Sequence, residues 1–119
     1  MVNSKQKGAR FERELAKIFQ SYGYENARRT AQYCGNTGDA SDVIGLPGIH
    51  VEAKIQERMR LYDWMAQAEN DAGNNRVNPL PAVFHKQSRK EILVTMRLDD
   101  WMKLYQGYAE IMRLDEGGD

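Results

Sequence analysis

The sequence predicts a single α/β domain over residues 1–119, with a mixed central β-sheet flanked by helices in the order α-β-β-β-α-β-β-α. Two patterns predict this class. Apolar residues recur at helical spacing in three stretches, and short apolar or alternating runs typical of strands lie between them. The length of 119 residues supports one hydrophobic core but not two.

The composition is that of an ordinary soluble protein, with 41% hydrophobic and 29% charged residues. No apolar run approaches the ~20 residues that span a bilayer, and the polar N-terminus is unlike a signal peptide. We therefore expect a cytoplasmic protein that contacts no membrane and uses no nucleotide cofactor. The single cysteine, Cys34, rules out an internal disulfide, and neither histidine has the spacing of a structural metal site.

The formal net charge is zero, which argues against wrapping of nucleic acid by bulk electrostatics. The charges are unevenly distributed, however. Residues 1–29 carry seven basic and three acidic side chains, whereas residues 91–119 carry seven acidic and three basic ones. This uneven charge distribution would allow one basic face of the protein to bind phosphate. It is equally explained by solvent-exposed helix faces of opposite charge.

The first predicted helix covers residues 4–22 and ends before Gly23, a favourable C-cap. Its apolar stripe includes Phe11 and Leu15. Glu12 borders this stripe, so it is either a solvated glutamate or a carboxylate at the edge of the core. A strand over residues 25–30 and a polar, glycine-containing loop over residues 33–38 follow.

The next segment predicts a β-hairpin. Asp42 precedes a short apolar run at residues 43–44, and residues 49–54 alternate as a strand does. Between them, two glycines and a proline within residues 45–48 predict a tight turn. Asp39 is a rival acidic residue, but Asp42 directly precedes the strand.

This hairpin predicts a cluster of charged side chains. Since strand residues alternate in direction, Glu52 and Lys54 share one face with His50. Pairing of the two strands would bring Asp42 near Glu52. Two carboxylates and an ammonium group suit magnesium binding and phosphodiester hydrolysis.

These residues resemble the motif of the PD-(D/E)XK nuclease superfamily, an aspartate on one strand and Glu-x-Lys on the next, here Asp42 and Glu52-Ala53-Lys54. In addition, Lys7-Gly8-Ala9-Arg10-Phe11-Glu12-Arg13-Glu14-Leu15 resembles the opening helix of archaeal-type Holliday junction resolvases, a branch of that superfamily. Order and spacing agree over residues 7–54.

The resemblance implies a restriction-endonuclease-like core and a Mg²⁺-dependent DNA endonuclease in which Mn²⁺ substitutes. Asp42, Glu52 and the backbone carbonyl of Ala53 would hold the metal. Glu12 matches the glutamate that reaches the metal site in the resolvases. Lys54 would position the nucleophilic water and stabilise negative charge.

Gln67 lies in the next predicted helix, over residues 57–72. In this superfamily a glutamine at such a position often approaches the site, so Gln67 is a candidate for holding the attacking water; an exposed helix residue is the alternative. Trp64 and Met65 are predicted core or dimer contacts. The remaining predicted elements are strands over residues 82–85 and 91–96, a helix over residues 98–105 and a disordered tail over residues 114–119.

The candidate DNA contacts are basic side chains and two polar loop residues: Lys5, Lys7, Arg10, Arg28, Arg29, Tyr33, Thr37, Lys86, Arg89 and Lys90. The resolvase loop carries a serine or threonine near the scissile phosphate, for which Thr37 or Thr30 is the nearest equivalent. For the hairpin cations, the alternative is protection of an edge strand against aggregation.

The resemblance also implies branched DNA as substrate and a homodimer, because two symmetric nicks require two active sites related by a twofold axis. The zero net charge keeps one alternative open within the enzyme class, a phage nuclease that nicks or cuts another DNA structure and needs a partner for affinity. A second alternative, from a different class, is a non-catalytic DNA-binding module on a nuclease fold, against which the intact set Glu12, Asp42, Glu52 and Lys54 argues.

Overall fold

The computed structural model describes residues 4–30, 41–73 and 79–114. The elements in these ranges are α1 (Ser4–Ser21), β1 (Arg28–Arg29), β2 (Val43–Ile44), β3 (Ile49–Ile55), α2 (Leu61–Ala72), β4 (Leu80–Lys86), β5 (Leu93–Met96) and α3 (Leu98–Met112). Their order confirms the predicted α-β-β-β-α-β-β-α architecture. The predicted loop over residues 33–38 and the tail from residue 115 lie outside the described residues.

The strands form one mixed sheet in the order β1-β2-β3-β4-β5. β3 and β4 are parallel, whereas the other three neighbouring pairs are antiparallel. A parallel pair requires a crossover connection, and α2 provides it. The β2–β3 and β4–β5 hairpins are both as predicted.

Two glycines shape the turn between β2 and β3. Gly45 and Gly48 have φ angles of 93° and 84°, a region that L-residues with a side chain rarely adopt. At Gly45 there is a second constraint, because an added Cβ would lie 2.5 Å from the Cα of Ala27. The β2–β3 turn therefore packs directly against the chain that enters β1.

Helices α1 and α2 cover opposite faces of the sheet. Phe11 and Leu15 of α1 belong to a buried cluster with Val51, against which Phe84 packs. Trp64 of α2 belongs to a second cluster with Val83. Since Val83 and Phe84 are consecutive in β4, their side chains point to opposite faces. The two clusters therefore lie on either side of the sheet.

Two predicted elements are shorter than expected. β1 comprises Arg28–Arg29 and not residues 25–30, because the N–H of Ala27 bonds to the carbonyl of Tyr24 in a turn. β5 begins at Leu93 and not at residue 91, after a turn in which Arg89 has a φ angle of 63°.

The predicted helix starts and ends also differ in two places. α2 begins at Leu61 and not at residue 57, because Glu57 is bound to the β4–β5 turn: its carboxylate accepts a 2.9 Å bond from the N–H of Ser88. α3 continues past residue 105 to Met112, since Gly107 does not interrupt it. No helix in the described ranges is long and apolar enough to cross a membrane.

Candidate active site

The site is built where β2 and β3 meet. Asp42 directly precedes β2, and its backbone N–H donates a 2.8 Å bond to the carbonyl of Val51. The N–H of Ala53 in turn donates a 2.8 Å bond to Oδ2 of Asp42. Backbone pairing on one side and a side-chain bond on the other hold this carboxylate against β3.

Glu52, which is 2% exposed, is the second carboxylate of the site. The cost of burial and then repulsion from Glu52 raise the pKa of Asp42 to about 7, although the Ala53 N–H and the Lys54 charge act in the opposite direction. A group with this pKa carries a proton part of the time at neutral pH. A bound cation would relieve the repulsion and favour the doubly ionised pair.

Behind Glu52 lies a line of buried polar side chains. Ser41 Oγ and His50 Nδ1 are 3.0 Å apart, and His50 Nε2 lies 3.7 Å from Glu52 Oε1. His50 is fully buried. Among the described residues, neither His50 Nε2 nor Glu52 Oε1 has a hydrogen-bond partner. The carboxylate oxygen that faces the histidine is thus buried without a hydrogen bond among the described residues, whereas Oε2 faces Lys54.

The alternation of β3 predicts that His50 shares a face with Glu52, but it predicts no role for His50. The available signal was the spacing of two residues within a strand, which orients both side chains the same way. What the pattern could not reveal is that Ser41 reaches the other ring nitrogen.

Lys54 lies between the β3 carboxylate and α2. Its Nζ is 3.8 Å from Glu52 Oε2 and donates a 2.9 Å bond to Oε1 of Gln67. Gln67, predicted as a candidate for holding water, thus contacts the site through the lysine. The side-chain amide of Gln67 therefore holds the ammonium group of Lys54 in position.

Glu12 approaches the site from α1. Its Oε1 accepts a 2.7 Å bond from Nε of Arg29, and both side chains are largely buried. Burial raises the pKa of Glu12, Arg29 lowers it in part, and the Glu52 charge raises it further. Glu12 is therefore within electrostatic reach of Glu52 while it is ion-paired to Arg29.

The predicted DNA contacts have different surroundings. Lys7 is engaged at the β4–β5 turn, where its Nζ donates a 2.8 Å bond to Ser88 Oγ and lies 3.7 Å from Glu57. Arg29 is bound to Glu12. Lys86 is half-buried, and the exposed candidates are Lys5, Arg10, Arg28, Arg89 and Lys90.

The loop candidates are only partly covered. Tyr33 and Thr37, together with the rival ligand Asp39, lie outside the described residues. Thr30 is described: its N–H donates a 3.0 Å bond to the carbonyl of Asp42. Its Oγ1 is buried with no hydrogen-bond partner within the described part of the chain. Thr30 is thereby placed next to Asp42 along the sheet.

The site's residues fit a hard divalent cation. Mg²⁺ prefers oxygen ligands and is commonly bound by one or two carboxylates together with waters and substrate phosphates. The repelling pair Asp42 and Glu52, with one carboxylate oxygen unbonded, provides such a set. In residues 4–30, 41–73 and 79–114, no group of three or more His, Cys, Asp or Glu side chains is arranged to hold a metal. Further ligands would be backbone, water or phosphate oxygens.

Comparison with known proteins identifies a family. A family model described as "Phage putative PDDEXK endonuclease" matches residues 3–115, a span that contains every element described above. No curated protein and no solved structure matches the chain.

Proposed function

The chain belongs to this family of phage PDDEXK endonucleases, and from that membership and the site geometry we propose that it is a Mg²⁺-dependent endodeoxyribonuclease that hydrolyses phosphodiester bonds in branched DNA. Membership of a nuclease family implies DNA as the substrate, and PDDEXK nucleases generally use divalent metals. The observation that carries the proposal is the meeting of Asp42 and Glu52 beside Lys54.

Asp42, Glu52 and the backbone carbonyl of Ala53 are assigned to the metal. Held there, Mg²⁺ would supply Lewis-acid polarisation of the scissile phosphate and make a nearby water easier to deprotonate. Mn²⁺ accepts the same oxygen ligands and is expected to substitute. We assign Glu12 to the edge of this site. The assignment is supported by the Glu52 charge, which contributes to the raised pKa of Glu12.

Lys54 stabilises the negative charge that develops on the phosphate during cleavage. Its 3.8 Å contact with Glu52 keeps the ammonium group close to the reacting group. Gln67 holds the ammonium group in place through its amide oxygen. This contact supports a role for Gln67 in orienting Lys54 and, through it, the attacking water.

For the DNA contacts we propose the exposed cations on the surface: Lys5, Arg10, Arg28, Arg89 and Lys90. Tyr33 and Thr37 remain sequence-based candidates, as does the half-buried Lys86. Lys7 and Arg29 would reach DNA once substrate binding displaces their contacts with Glu57 and Glu12. Branched DNA, and a homodimer that nicks it symmetrically, rest on the resemblance to junction resolvases.

The test is cleavage of five labelled substrates in Mg²⁺: a four-way junction, nicked, flapped and linear duplexes, and single-stranded DNA. Paired symmetric nicks on the junction support the full proposal. Cleavage of one of the other four substrates supports phosphodiester hydrolysis but shows that the preferred DNA structure is not a four-way junction. If all five remain intact although the protein binds them, the nuclease assignment fails and the non-catalytic module is favoured.

A further inference from the structure

Helix α3 has an apolar surface that the rest of the described chain does not cover. None of its residues is buried, and nine apolar side chains between residues 98 and 114 are exposed, from Met102 at 37% to Ile111 at 81%. An isolated helix of 15 residues is only marginally stable in water. Packing of this surface is therefore needed to stabilise α3.

We propose that α3 pairs in antiparallel orientation with α3 of a second copy of this chain, so that the protein is a homodimer held together by this helix. This pairing specifies the surface through which the homodimer of the proposed function would form. It rests on the exposed surface of α3, and its test requires no DNA.

The spacing of the apolar residues is that of a helix pair. Trp101, Leu104, Tyr108 and Ile111 follow one another at intervals of three, four and three residues, the seam of a two-helix coiled coil. Trp101 stacks on Tyr105 with ring centroids 5.3 Å apart, which makes this side of the helix a continuous aromatic surface.

The charges of α3 permit a second copy to approach. At 100° per residue, Asp99, Lys103, Glu110 and Arg113 fall on the side away from the seam. Asp100 borders the seam and is paired with Lys103 of its own helix at 3.4 Å. The seam thus brings no unpaired like charges together, and a chain of zero net charge has little overall repulsion from its copy.

The excess of acidic groups also favours protein over nucleic acid as the occupant. Residues 98–114 include Asp99, Asp100 and Glu110 against Lys103 and Arg113. A stacking platform for single-stranded DNA would need a positively charged groove beside the aromatic rings.

The antiparallel orientation follows from the short connection. Only Arg97 separates β5 from α3, so the sheet lies at the N-terminal end of the helix. The axes of packed helices lie about 8–10 Å apart. In a parallel pair, the sheets of the two copies, each in a body about 30 Å wide, would have to share the N-terminal end of the helix pair, where they would overlap. An antiparallel pair places them at opposite ends.

In this arrangement Trp101 lies opposite Ile111 of the second copy, and Leu104 lies opposite its Tyr108. Gly107 then meets its counterpart near the twofold axis. A glycine inside a helix costs roughly 1 kcal/mol relative to alanine, and close approach of a second helix is a reason to have it there. An added Cβ at Gly107 would meet nothing within 4 Å in the single chain, so that space is open.

The base of α3 offers room for the far end of the partner helix. A groove of about 460 Å³ lies there. Its lining combines apolar side chains, among them Leu61, Met65 and Leu98, with the Arg97–Glu69 ion pair. In the antiparallel pair, the second copy's residues near Met112 lie beside Leu98. The groove would extend the helix contact onto α2.

The available area is adequate for a stable dimer. Six of the nine side chains lie on the seam side of α3, are about half exposed and present on the order of 600 Å² per chain. A standard interface buries about 600–1,000 Å² per partner, so the seam reaches the lower end of this range before any contact with α2 is added.

The first experiment is sedimentation equilibrium of the full chain, wild type against Leu104→Glu and Gln106→Glu. Both substitutions add one negative charge to α3, but only Leu104 lies in the seam. We expect a wild-type dimer, an unchanged dimer for Gln106→Glu and a dissociation constant at least about tenfold higher for Leu104→Glu, with far-UV circular dichroism showing that its core remains folded. A monomeric wild type overturns the proposal and leaves the surface to a different protein, as does a Leu104→Glu dimer of unchanged affinity.

The second experiment tests the orientation by disulfide cross-linking in a Cys34→Ser background, which removes the chain's one cysteine. Gly107→Cys places two thiols side by side next to the twofold axis, with Cα atoms on the order of 8 Å apart in a closely packed pair, so a small shift of the helices brings them within the ~7 Å that a disulfide bridges. Leu114→Cys is the matched control, because two copies of that residue lie on the order of 20 Å apart in an antiparallel pair. Cross-linking of Gly107→Cys alone supports the pair; cross-linking of both variants, or of neither, contradicts it.

Discussion

The backbone N–H of Ala53 donates a 2.8 Å hydrogen bond to Oδ2 of Asp42, and this bond joins the two strands of the site. It stabilises the ionised carboxylate, yet burial and the Glu52 charge still raise the pKa of Asp42 to about 7. The fold thus holds two carboxylates together at a cost to its own stability, the arrangement expected where a cation is to be bound.

The turn that aligns these strands should tolerate a side chain at one glycine and not at the other. Gly48→Ala adds a Cβ into open space at positive φ and should lower the free energy of unfolding by about 1 kcal/mol. Gly45→Ala adds the same strain and a 2.5 Å contact with the backbone of Asn26 and Ala27, so its loss should be several kcal/mol. Urea denaturation measures both. An equal decrease in the free energy of unfolding for both variants would show that the β2–β3 turn does not pack tightly against the backbone of Asn26 and Ala27.

The Glu12–Arg29 ion pair should contribute measurably to stability because both side chains are largely buried. We expect Arg29→Gln to lower the free energy of unfolding by about 1–3 kcal/mol, since it leaves a buried carboxylate short of its charged donor. Arg28→Gln, at the exposed neighbour, should change it by less than about 0.5 kcal/mol. A double-mutant cycle with Glu12→Gln isolates the pair, and a coupling energy near zero would argue against the contact.

Gln67 should affect catalysis through Lys54. Gln67→Ala removes the acceptor of the 2.9 Å bond and should lower kcat about tenfold with little change in KM, because the lysine remains but is less well oriented. Asn70→Ala, one turn along the same exposed face of α2, is the matched control and should retain wild-type kinetics. In a Lys54→Ala background the Gln67 substitution should have no further effect on kcat. An additive loss there would assign Gln67 a separate role.

The metal-free protein should become less stable as the pH rises. The pKa of Asp42 is about 7 in the folded chain against 3.8 as the unperturbed value, so the folded state binds the proton more tightly. Its contribution to stability is present below pH 4, decreases through the window from pH 4 to pH 7 and is absent above it, a change on the order of 4 kcal/mol.

Asp42→Asn should remove this component of the pH dependence. Chemical denaturation in a chelator at pH 4.5, 6 and 8 measures it, and the variant should gain stability over wild type progressively with pH. At pH 8, Mg²⁺ or Mn²⁺ should raise the melting temperature of wild type and have less effect on the variant. A constant difference between the two proteins at all three pH values would be incompatible with the raised pKa.

Much of the fold was predictable because its elements have clear periodicity. The α1 stripe, the alternation of β3 and the glycines of the β2–β3 turn determine element type and pairing, and with them the approach of Asp42 to Glu52. Element ends were less predictable where tertiary contacts decide them. Glu57 lies outside α2 because it binds the turn at Ser88, a residue 31 positions away.

The contacts of individual site residues depended on packing that a periodic pattern does not encode. The helical pattern allowed Glu12 to be either solvated or at the edge of the core, and its pairing with Arg29 depends on how α1 crosses β1. Likewise, the pattern put Gln67 on α2, whereas the rotation of that helix against the sheet decides that its amide meets Lys54.

The most direct test of the central claim is the Mg²⁺-dependent cleavage rate of the preferred DNA substrate by wild type, Asp42→Asn and Asp63→Asn. Asp63 is an exposed aspartate in the first turn of α2, so its variant controls for loss of one negative charge. We predict wild-type rates for Asp63→Asn and a loss of at least about 100-fold for Asp42→Asn, with DNA binding retained. Undiminished cleavage by Asp42→Asn would contradict the assignment of the Asp42–Glu52 pair as the catalytic centre.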